Sequence, residues 1–383
     1  MAILFLDEAD VTAALDPALL YFGDIVVVQT QAHVFFDIVG GNVVAVHRVQ
    51  DEIAILDNQF GPAFNKAAEP VRMKGDEREQ PVFLSTSSAW GVMEASIRNL
   101  VDRGVLCCMC GAFSDKWLDV ARRCGKNAEP LQVEWGKHID QKNVDRELAS
   151  GKFDTVTLIH NETSTGVTNP LPEICCTLAK YPDVALIVDT VSSFSAMKID
   201  MDALGIDVML TGAQKALALP PGFSLFSVSE KAFARAEKQK DRGYYFDFLE
   251  FRKQQAEWMT PSTPSIGHIF ALQSKLDEIF EEGLQARFDR HAKTNAVVHD
   301  WVRKSGFEFF AEEGFRSKTL TCVKNNKGID VLAFAKRLRE EHHLVIDPGY
   351  GKLRGKTFRL SNMGDETEKT VSQLLGCVDD VLK

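Results

Sequence analysis

The chain has 383 residues, of which 45% are hydrophobic and 26% are charged, and this composition is typical of a soluble globular protein with one large and one smaller domain. Its formal net charge of −10 argues against nucleic acid or an anionic membrane as the main partner. The sequence has no apolar run long enough to cross a bilayer, and its acidic amino terminus lacks the basic segment of a secretory signal.

The first 80 residues have the least specific pattern. Strand-like runs cover 25–29, 32–39 and 43–49, and Gly40-Gly41-Asn42 between the last two predicts a hairpin. We treat residues 1–80 as an amino-terminal segment of uncertain role.

From residue 81 onwards, apolar runs alternate with amphipathic stretches. Strands are predicted at 82–84, 105–110, 155–160, 184–188, 206–210 and 223–228. Helices are predicted at 92–100, 117–124, 144–149, 171–180 and 230–240. This alternation predicts an α/β fold with a mostly parallel, helix-covered sheet.

We expect this large domain to span 81–265, followed by a connecting helix over 266–305 and a smaller carboxy-terminal α+β domain over 306–383. Strands of the smaller domain are predicted at 307–310, 319–323, 344–346 and 357–360, and helices at 331–341 and 366–382.

Eight cysteines are scattered along the chain without a framework spacing, which favours a reducing compartment, and we expect the protein to be cytoplasmic. Cys107, Cys108 and Cys110 do not have the paired spacing of a zinc site, and burial in a strand is the commoner reason for such cysteines. The sequence therefore predicts no metal site.

The turn after the first of these strands is rich in small residues and leads directly into a helix. Such a turn offers unpaired backbone N–H groups and the positive end of a helix dipole, which suit a phosphate group. A serine-rich helix cap is the alternative interpretation, and the turn alone does not decide between them.

A carboxylate and a lysine follow two neighbouring buried runs. Asp189 comes after the run 184–188, where open α/β sheets place ligand-binding groups, and Lys215 comes after the run 206–210. Taken singly, Asp189 could be a turn residue and Lys215 a solvated one. Arg359 lies in a predicted strand, where a partly buried guanidinium requires an anion, either a structural carboxylate or a ligand.

The segment AQKALALPPG around Lys215 resembles the lysine motif and following PPG turn of the class V pyridoxal-phosphate-dependent aminotransferases, which have fold type I. The resemblance is closest to the alanine–glyoxylate and serine–pyruvate aminotransferase group. It implies that Lys215 holds pyridoxal 5′-phosphate as a Schiff base and that Asp189 pairs with its pyridine nitrogen. By the same resemblance, Val191 and Gln214 contact the cofactor.

Three further segments resemble the family. The turn before the helix at 92–100 would hold the cofactor phosphate through Ser88, Ala89 and Trp90. The segment GAFSDKW, read as a loop with a helix beginning at Trp117, would supply Phe113 as the ring that stacks on the cofactor. The segment NETSTG would place Ser164 close to the cofactor ring.

Two more segments concern the substrate and the assembly. The segment TPSTP resembles a family segment that reaches the partner subunit's cofactor phosphate, which makes Thr260 and Thr263 contacts across a homodimer. Arg359 would hold the substrate α-carboxylate. The Pro-Gly-Pro loop that the family carries near its amino terminus is not recognised in residues 1–80.

The resemblance implies transamination between a small α-amino acid, of the serine or alanine type, and a 2-oxo acid such as glyoxylate or pyruvate. Lys215 would move the proton from the substrate Cα as general base and acid. Alternatives are a phosphoserine or aminoethylphosphonate aminotransferase, a lyase or cysteine desulfurase on the same scaffold, and a regulator without catalysis. A desulfurase requires a nucleophilic cysteine on a mobile loop, which the sequence does not offer.

Overall fold

A computed structural model describes residues 81–257 and 259–383, together with the backbone of three short strands closer to the amino terminus. These are β1 (Val28–Gln29), β2 (Phe35–Val39) and β3 (Asn42–Ala45), which form an antiparallel sheet. The predicted hairpin between β2 and β3 is confirmed. The remainder of the runs predicted in 1–80, and the segment searched for a Pro-Gly-Pro loop, lie outside the described residues.

A seven-stranded sheet forms the centre of the molecule. Its strands are β4 (Val82–Ser85), β5 (Val105–Met109), β6 (Ala128–Gln132), β7 (Thr155–Ile159), β10 (Ala185–Asp189), β11 (Val208–Gly212) and β12 (Ser224–Val228), and a separate hairpin is made by β8 (Asn161–Glu162) and β9 (Val167–Thr168). The order across the sheet is β4-β12-β11-β10-β7-β5-β6. Only β12 runs antiparallel to its neighbours, so the predicted mostly parallel sheet is confirmed.

Helices cover both faces of this sheet. They are α1 (Ala89–Leu100), α2 (Ala112–Arg123), α3 (Gln141–Leu148), α4 (Leu171–Leu178), α5 (Glu230–Ala236) and α6 (Phe248–Gln255). Successive strand side chains point to opposite faces, so Cys107 packs with α1, α2, α5 and α6, whereas Leu106 and Cys108 pack with α3 and α4. Burial on both faces explains why the strands read as continuous apolar runs.

The predicted start of α2 was wrong by one turn and a half. The helix begins at Ala112 rather than Trp117, so the GAFSDKW segment supplies its N-cap residue and its first six residues and is not a loop. The buried Glu162 carboxylate accepts a hydrogen bond from the backbone N–H of Ser114 at 2.8 Å. This carboxylate satisfies the amino-terminal N–H groups that the sequence around the helix leaves without a charged partner.

The long helix predicted over 266–305 is broken in two. The structure has α7 (Ile266–Glu282) and α8 (Leu284–Lys304), with Gly283 between them at a φ of 81°. This left-handed backbone ends one helix and redirects the next, and glycine adopts it without the steric cost that a side chain brings.

The carboxy-terminal part is a three-stranded antiparallel sheet covered by helices. Its elements are β13 (Glu308–Phe309), β14 (Leu320–Lys324), α9 (Val331–His342), a 3-10 turn (Gly351–Leu353), β15 (Thr357–Ser361) and α10 (Glu368–Leu382). Trp301 of α8, Val323 of β14, Phe358 of β15 and Val378 of α10 share one apolar core. The division of the chain into the four parts expected from the sequence stays a prediction.

The strand predicted at 344–346 is absent from this part of the structure. The chain leaves α9 through His343 at a φ of 56°, and Leu344 N donates back to Leu338 O at 3.1 Å. Only Asp347 forms a bridge, to Arg359 of β15. Among the described helices, none is long and apolar enough to cross a membrane.

Candidate active site

The carboxyl ends of the parallel strands meet at one edge of the central sheet. Asp189 is the last residue of β10 and pairs in register with Leu210 of β11 and Ile159 of β7. Lys215 lies in the turn that follows β11. The sheet topology therefore brings the predicted carboxylate and lysine to the same place, as open α/β sheets do with ligand-binding groups.

Asp189 is a carboxylate in an apolar setting. Its side chain is buried, and Oδ1 accepts a hydrogen bond from Val191 N at 2.9 Å. Burial raises the pKa of Asp189 to about 7, the nearby Glu162 charge acts in the same direction, and the Val191 N–H acts against it. A carboxyl with this environment favours a cationic partner, and a protonated ring nitrogen is such a group.

We predict that ionisation of the buried Asp189 side chain lowers the free energy of unfolding of the cofactor-free protein above neutral pH. The pKa of Asp189 is raised to about 7 from its ordinary 3.8, so its stabilising protonation is complete below pH about 4 and is lost as the pH rises through about 7. In Asp189→Asn this loss is absent, so the free energy of unfolding of the variant should exceed that of wild type by on the order of 4 kcal/mol at pH 8, with little difference at pH 4.

Urea unfolding of the cofactor-free proteins at pH 4, 6 and 8 measures this effect. Asp207→Asn is the matched control, because Asp207 is also buried but accepts from Leu186 N and pairs with Lys231 at 2.9 Å. That control should lose stability. A wild-type to Asp189→Asn difference that is the same at all three pH values would contradict the prediction.

Lys215 is half-buried, and its surroundings favour the neutral amine. Burial lowers the pKa of Lys215, and the Arg359 charge lowers it further, whereas Asp189 and Asp347 act in the opposite direction. The turn that carries Lys215 is held on the far side by Arg287, whose Nη2 donates to Ala216 O at 2.6 Å. A neutral amine can act as a nucleophile and can take up a proton.

Arg359 lies in β15, where it pairs with Cys322 of β14, and its side chain is 13% exposed. Its Nη1 donates to Thr163 O at 2.8 Å, and its Nη2 pairs with Asp347 Oδ2 at 2.6 Å. Among the described residues, its buried Nε has no hydrogen-bond partner. A fixed guanidinium with a free N–H edge suits a carboxylate ligand.

Phe113 lies at the second position of α2, at the sheet edge. Its backbone N–H donates to Glu162 Oε1 at 3.4 Å, and its ring stacks on Tyr350 with a centroid separation of 4.9 Å and an interplanar angle of 24°. Ser164 is buried beside it, where its hydroxyl donates to Glu162 Oε1 at 2.6 Å and accepts from Ala112 N at 2.9 Å. The expected contact of Ser164 with a cofactor ring stays a prediction.

The start of α1 forms another part of this edge. Ser88 is the N-cap residue, and its side chain makes no capping hydrogen bond. Ala89 is buried, whereas Trp90 is 40% exposed. Backbone N–H groups at a helix start, without a side-chain cap, suit a phosphate. Gln214 is exposed, and its contact with the cofactor, like that of Val191, stays a prediction.

The segment with Thr260 and Thr263 lies beside the turn that precedes α1. Ser262 Oγ lies 3.2 Å from Thr86 Oγ1 of the same chain. Thr260 Oγ1 donates to Ser262 O at 2.6 Å, and Thr263 is exposed. The segment therefore lies beside the turn before α1 in its own subunit, and its predicted contact with a partner's cofactor phosphate stays a prediction.

Sequence reasoning missed three residues of this site: Glu162, Asp347 and Tyr350. Glu162 is buried under the start of α2 and affects the pKa of Asp189. A glutamate two residues after the buried run at 155–160 is an unusual position for a charge, and this was the available signal. Tyr350 lies in Gly349-Tyr350-Gly351-Lys352, which resembles a family segment but was not assigned a role, and Asp347 had no signal. In the described part of the chain, no group of three or more potential metal ligands is found.

Comparisons with known proteins identify the family and the fold. The sequence model of the family described as aminotransferase class-V matches residues 103–350. An uncharacterised aminotransferase of Methanocaldococcus jannaschii is 38% identical over 80% of both chains. A serine–glyoxylate aminotransferase of Arabidopsis thaliana is 34% identical over 78% of this chain and 76% of its own. A crystal structure of alanine–glyoxylate aminotransferase from Nostoc sp. superposes with a TM-score of 0.77 at 28% identity, covering 89% of this chain and 93% of that one.

Proposed function

This chain belongs to the class V aminotransferases, and we propose that it transfers the amino group of a small α-amino acid, of the serine or alanine type, to a 2-oxo acid such as glyoxylate or pyruvate. One observation carries the proposal. Lys215 lies at one edge of the sheet, close enough to Asp189 and Arg359 for both to alter its pKa. The relatives named for serine–glyoxylate and alanine–glyoxylate transfer support this choice of substrates.

Pyridoxal 5′-phosphate is the cofactor that this family uses, and when bound it accepts the electrons left at the substrate Cα as a bond to that carbon breaks. The residues present fit the group. The buried Asp189, with its raised pKa, suits the ring nitrogen, and the uncapped start of α1 suits the phosphate. Phe113 offers a ring face, and Lys215 offers an amine for covalent attachment.

The protein's own part in the reaction is proton transfer and orientation. Lys215 Nζ, whose pKa is lowered by burial and by the Arg359 charge, takes the proton from the substrate Cα and returns it at a later stage of the amino transfer. Arg359 binds the α-carboxylate through the guanidinium N–H groups that Thr163 O and Asp347 do not use, which orients the Cα–H bond towards Lys215. Asp189 holds a proton on the ring nitrogen.

A screen of amino acids in single half-reactions tests the proposal. The cofactor-loaded protein is mixed with one amino acid in the absence of any oxo acid, and loss of the cofactor's absorbance is followed. L-alanine or L-serine should react fastest, and glyoxylate or pyruvate should restore the absorbance. If the protein prefers phosphoserine or aminoethylphosphonate, the proposed substrate class is wrong. If it reacts with no amino acid, the result favours a regulatory protein without catalytic activity.

The cysteines support transamination over desulfuration. Cys322 is buried within β14, and burial raises its pKa to about 12, so it lacks the thiolate that desulfuration needs. Cys175 and Cys176 lie in α4, and Cys377 lies in α10. All eight cysteines are free thiols, which supports a reducing compartment, and we propose that the protein is cytoplasmic.

We further propose that the protein is a homodimer with shared active sites. Thr263 is exposed, and the neighbouring Ser262 Oγ lies 3.4 Å from the hydroxyl of the exposed Tyr245. Trp90 at the start of α1 is exposed as well. Exposed aromatic rings around a polar site are typical of an interface. Two-fold dimers are also the commonest closed assembly.

Mixed dimers test whether Thr260 and Thr263 act on the partner's site. Lys215→Ala and the double variant Thr260→Ala/Thr263→Ala should each be nearly inactive. If the threonines act across the interface, each mixed dimer has one intact site, so subunit exchange should restore about a quarter of the wild-type activity.

The same mixture separates the alternatives. If the threonines serve their own subunit, the mixed dimer has no intact site and activity stays at the level of the parent variants. A fully active monomer in light scattering at assay concentrations would also exclude shared sites.

A further inference from the structure

Asp347 and Arg359 form an ion pair inside the candidate substrate site. Asp347 Oδ2 lies 2.6 Å from Arg359 Nη2, and Asp347 alters the pKa of Lys215. The side chain of Asp347 is 35% exposed and that of Arg359 is 13% exposed, so the pair lies at the wall of the site rather than on the open surface. We propose that Asp347 is a specificity-determining residue that disfavours substrates with a second carboxylate; this inference rests on the proposed function.

The backbone holds Asp347 in place. Arg359 N donates to Asp347 O at 2.9 Å, and Gly349 N donates to Asp347 Oδ1 at 2.8 Å. Gly349 has a φ of 90°, and a Cβ there would lie 2.2 Å from Leu353 O, so this turn accepts only glycine. These two hydrogen bonds hold Asp347 beside Arg359, and we expect the ion pair to persist during substrate binding.

Tyr350 shows that this segment belongs to the substrate site. Its ring stacks on Phe113 with centroids 4.9 Å apart, and Arg359 Cζ lies 5.8 Å from the same ring. The segment from Asp347 to Leu353 thus contacts both the residue expected to hold the carboxylate and the ring expected to stack on the cofactor. Lys352 on the same segment lies over the Trp135 ring at 3.8 Å, away from the ion pair.

Charge balance leads from this geometry to a substrate class. The pair of Asp347 and Arg359 is neutral, and the guanidinium N–H groups that Thr163 O and Asp347 do not use can bind one carboxylate by directed hydrogen bonds. A second carboxylate meets the charge of Asp347 instead of a cation. At about 6 Å and an effective dielectric constant of about 20, this repulsion lowers affinity by up to roughly a hundred-fold. With Asp347 35% exposed, screening should reduce the effect to about ten-fold.

The experiment compares substrates with one and two carboxylates in Asp347→Asn. The ratio of kcat/KM for L-alanine over L-aspartate, measured in half-reactions of the loaded enzyme, should fall about ten-fold relative to wild type. The fall should come from faster reaction of L-aspartate. Asp347→Glu keeps the charge and should keep the wild-type ratio. Asp380→Asn is the matched control, since it removes one exposed carboxylate from α10, and it should also leave the ratio unchanged.

Equilibrium binding provides a readout that does not depend on turnover. Calorimetric titration of each variant with propanoate and with succinate, which lack a reacting amino group, should show that Asp347→Asn strengthens succinate binding selectively. If Asp347→Asn instead weakens the binding of propanoate and of succinate equally, Asp347 only supports Arg359 and the inference is overturned. A wild-type preference for L-aspartate would also overturn it, in which case Lys352 would be the cation to examine.

Failure of the proposed function gives a different result. If neither L-alanine nor L-serine reacts with the wild-type protein but propanoate still binds in preference to succinate, the substrate assignment is wrong and the charge selection by Asp347 stands.

Discussion

Lys215→Ala should abolish turnover, with a loss of at least about 10⁴-fold in kcat, because one side chain supplies both the covalent link and the proton transfer. Burial and the Arg359 charge lower the pKa of Lys215, which favours the neutral amine in the wild-type protein. Alanine has no group that can replace it. Loose cofactor binding should remain, since Asp189 and the start of α1 are unchanged.

Borohydride reduction followed by peptide mass spectrometry measures the link directly. In the wild-type protein the reduced cofactor should be found on the peptide with Lys215, and in Lys215→Ala it should be found on no peptide. Lys180→Ala is the matched control, because Lys180 is 58% exposed and pairs with Asp145, and it should behave as wild type. Reduced cofactor on another lysine of the wild-type protein would refute the assignment.

Arg359→Lys should lower kcat/KM by tens- to several-hundred-fold, on the order of 2–4 kcal/mol. A guanidinium binds a carboxylate with two parallel hydrogen bonds, which an ammonium cannot reproduce. Lysine would also lose the paired contacts with Thr163 O and Asp347 that fix the side chain. Both effects should raise KM and should slow proton abstraction, because the carboxylate sets the angle of the Cα–H bond.

Steady-state kinetics together with cofactor titration distinguishes a loss of substrate binding from a structural change that also weakens cofactor binding. Cofactor affinity should hardly change, since Arg359 lies away from the start of α1 and from Asp189 in its direct contacts. Arg354→Lys is the matched control, because Arg354 lies at an exposed position three residues before β15 begins at Thr357, and it should leave kcat/KM unchanged. If Arg359→Lys instead lost the cofactor and kept its KM, the carboxylate would be bound elsewhere.

The sheet and its functional edge could be predicted because the signals for them are local. Continuous apolar runs at 184–188 and 206–210 indicate strands buried on both faces, and the polar residue that ends each run marks the sheet edge. Asp189 and Lys215 were found in this way, and the structure places both at that edge. The lysine motif then related the pair to a family, which the comparisons support independently.

Element boundaries were predicted less well, for a physical reason that α2 illustrates. The helix starts at Ala112 because Glu162, which is 48 residues from Ser114 in sequence, accepts hydrogen bonds from its first turn. A window of neighbouring residues contains no information on that carboxylate. The break at Gly283 had a local signal in the glycine itself, but a glycine is tolerated within a helix often enough that the apolar period outweighed it.

The sequence alone thus determined the fold class, the buried strands and the chemistry-bearing residues that end them, because burial and turn geometry are recorded in neighbouring residues. Only the tertiary structure decided what surrounds those residues. The pKa of Asp189 is raised by burial and by Glu162, and Arg359 is paired with Asp347 through a bridge that replaced a predicted strand. These effects depend on distances between segments far apart in the chain, and electrostatic interactions follow distance in space and not separation in sequence.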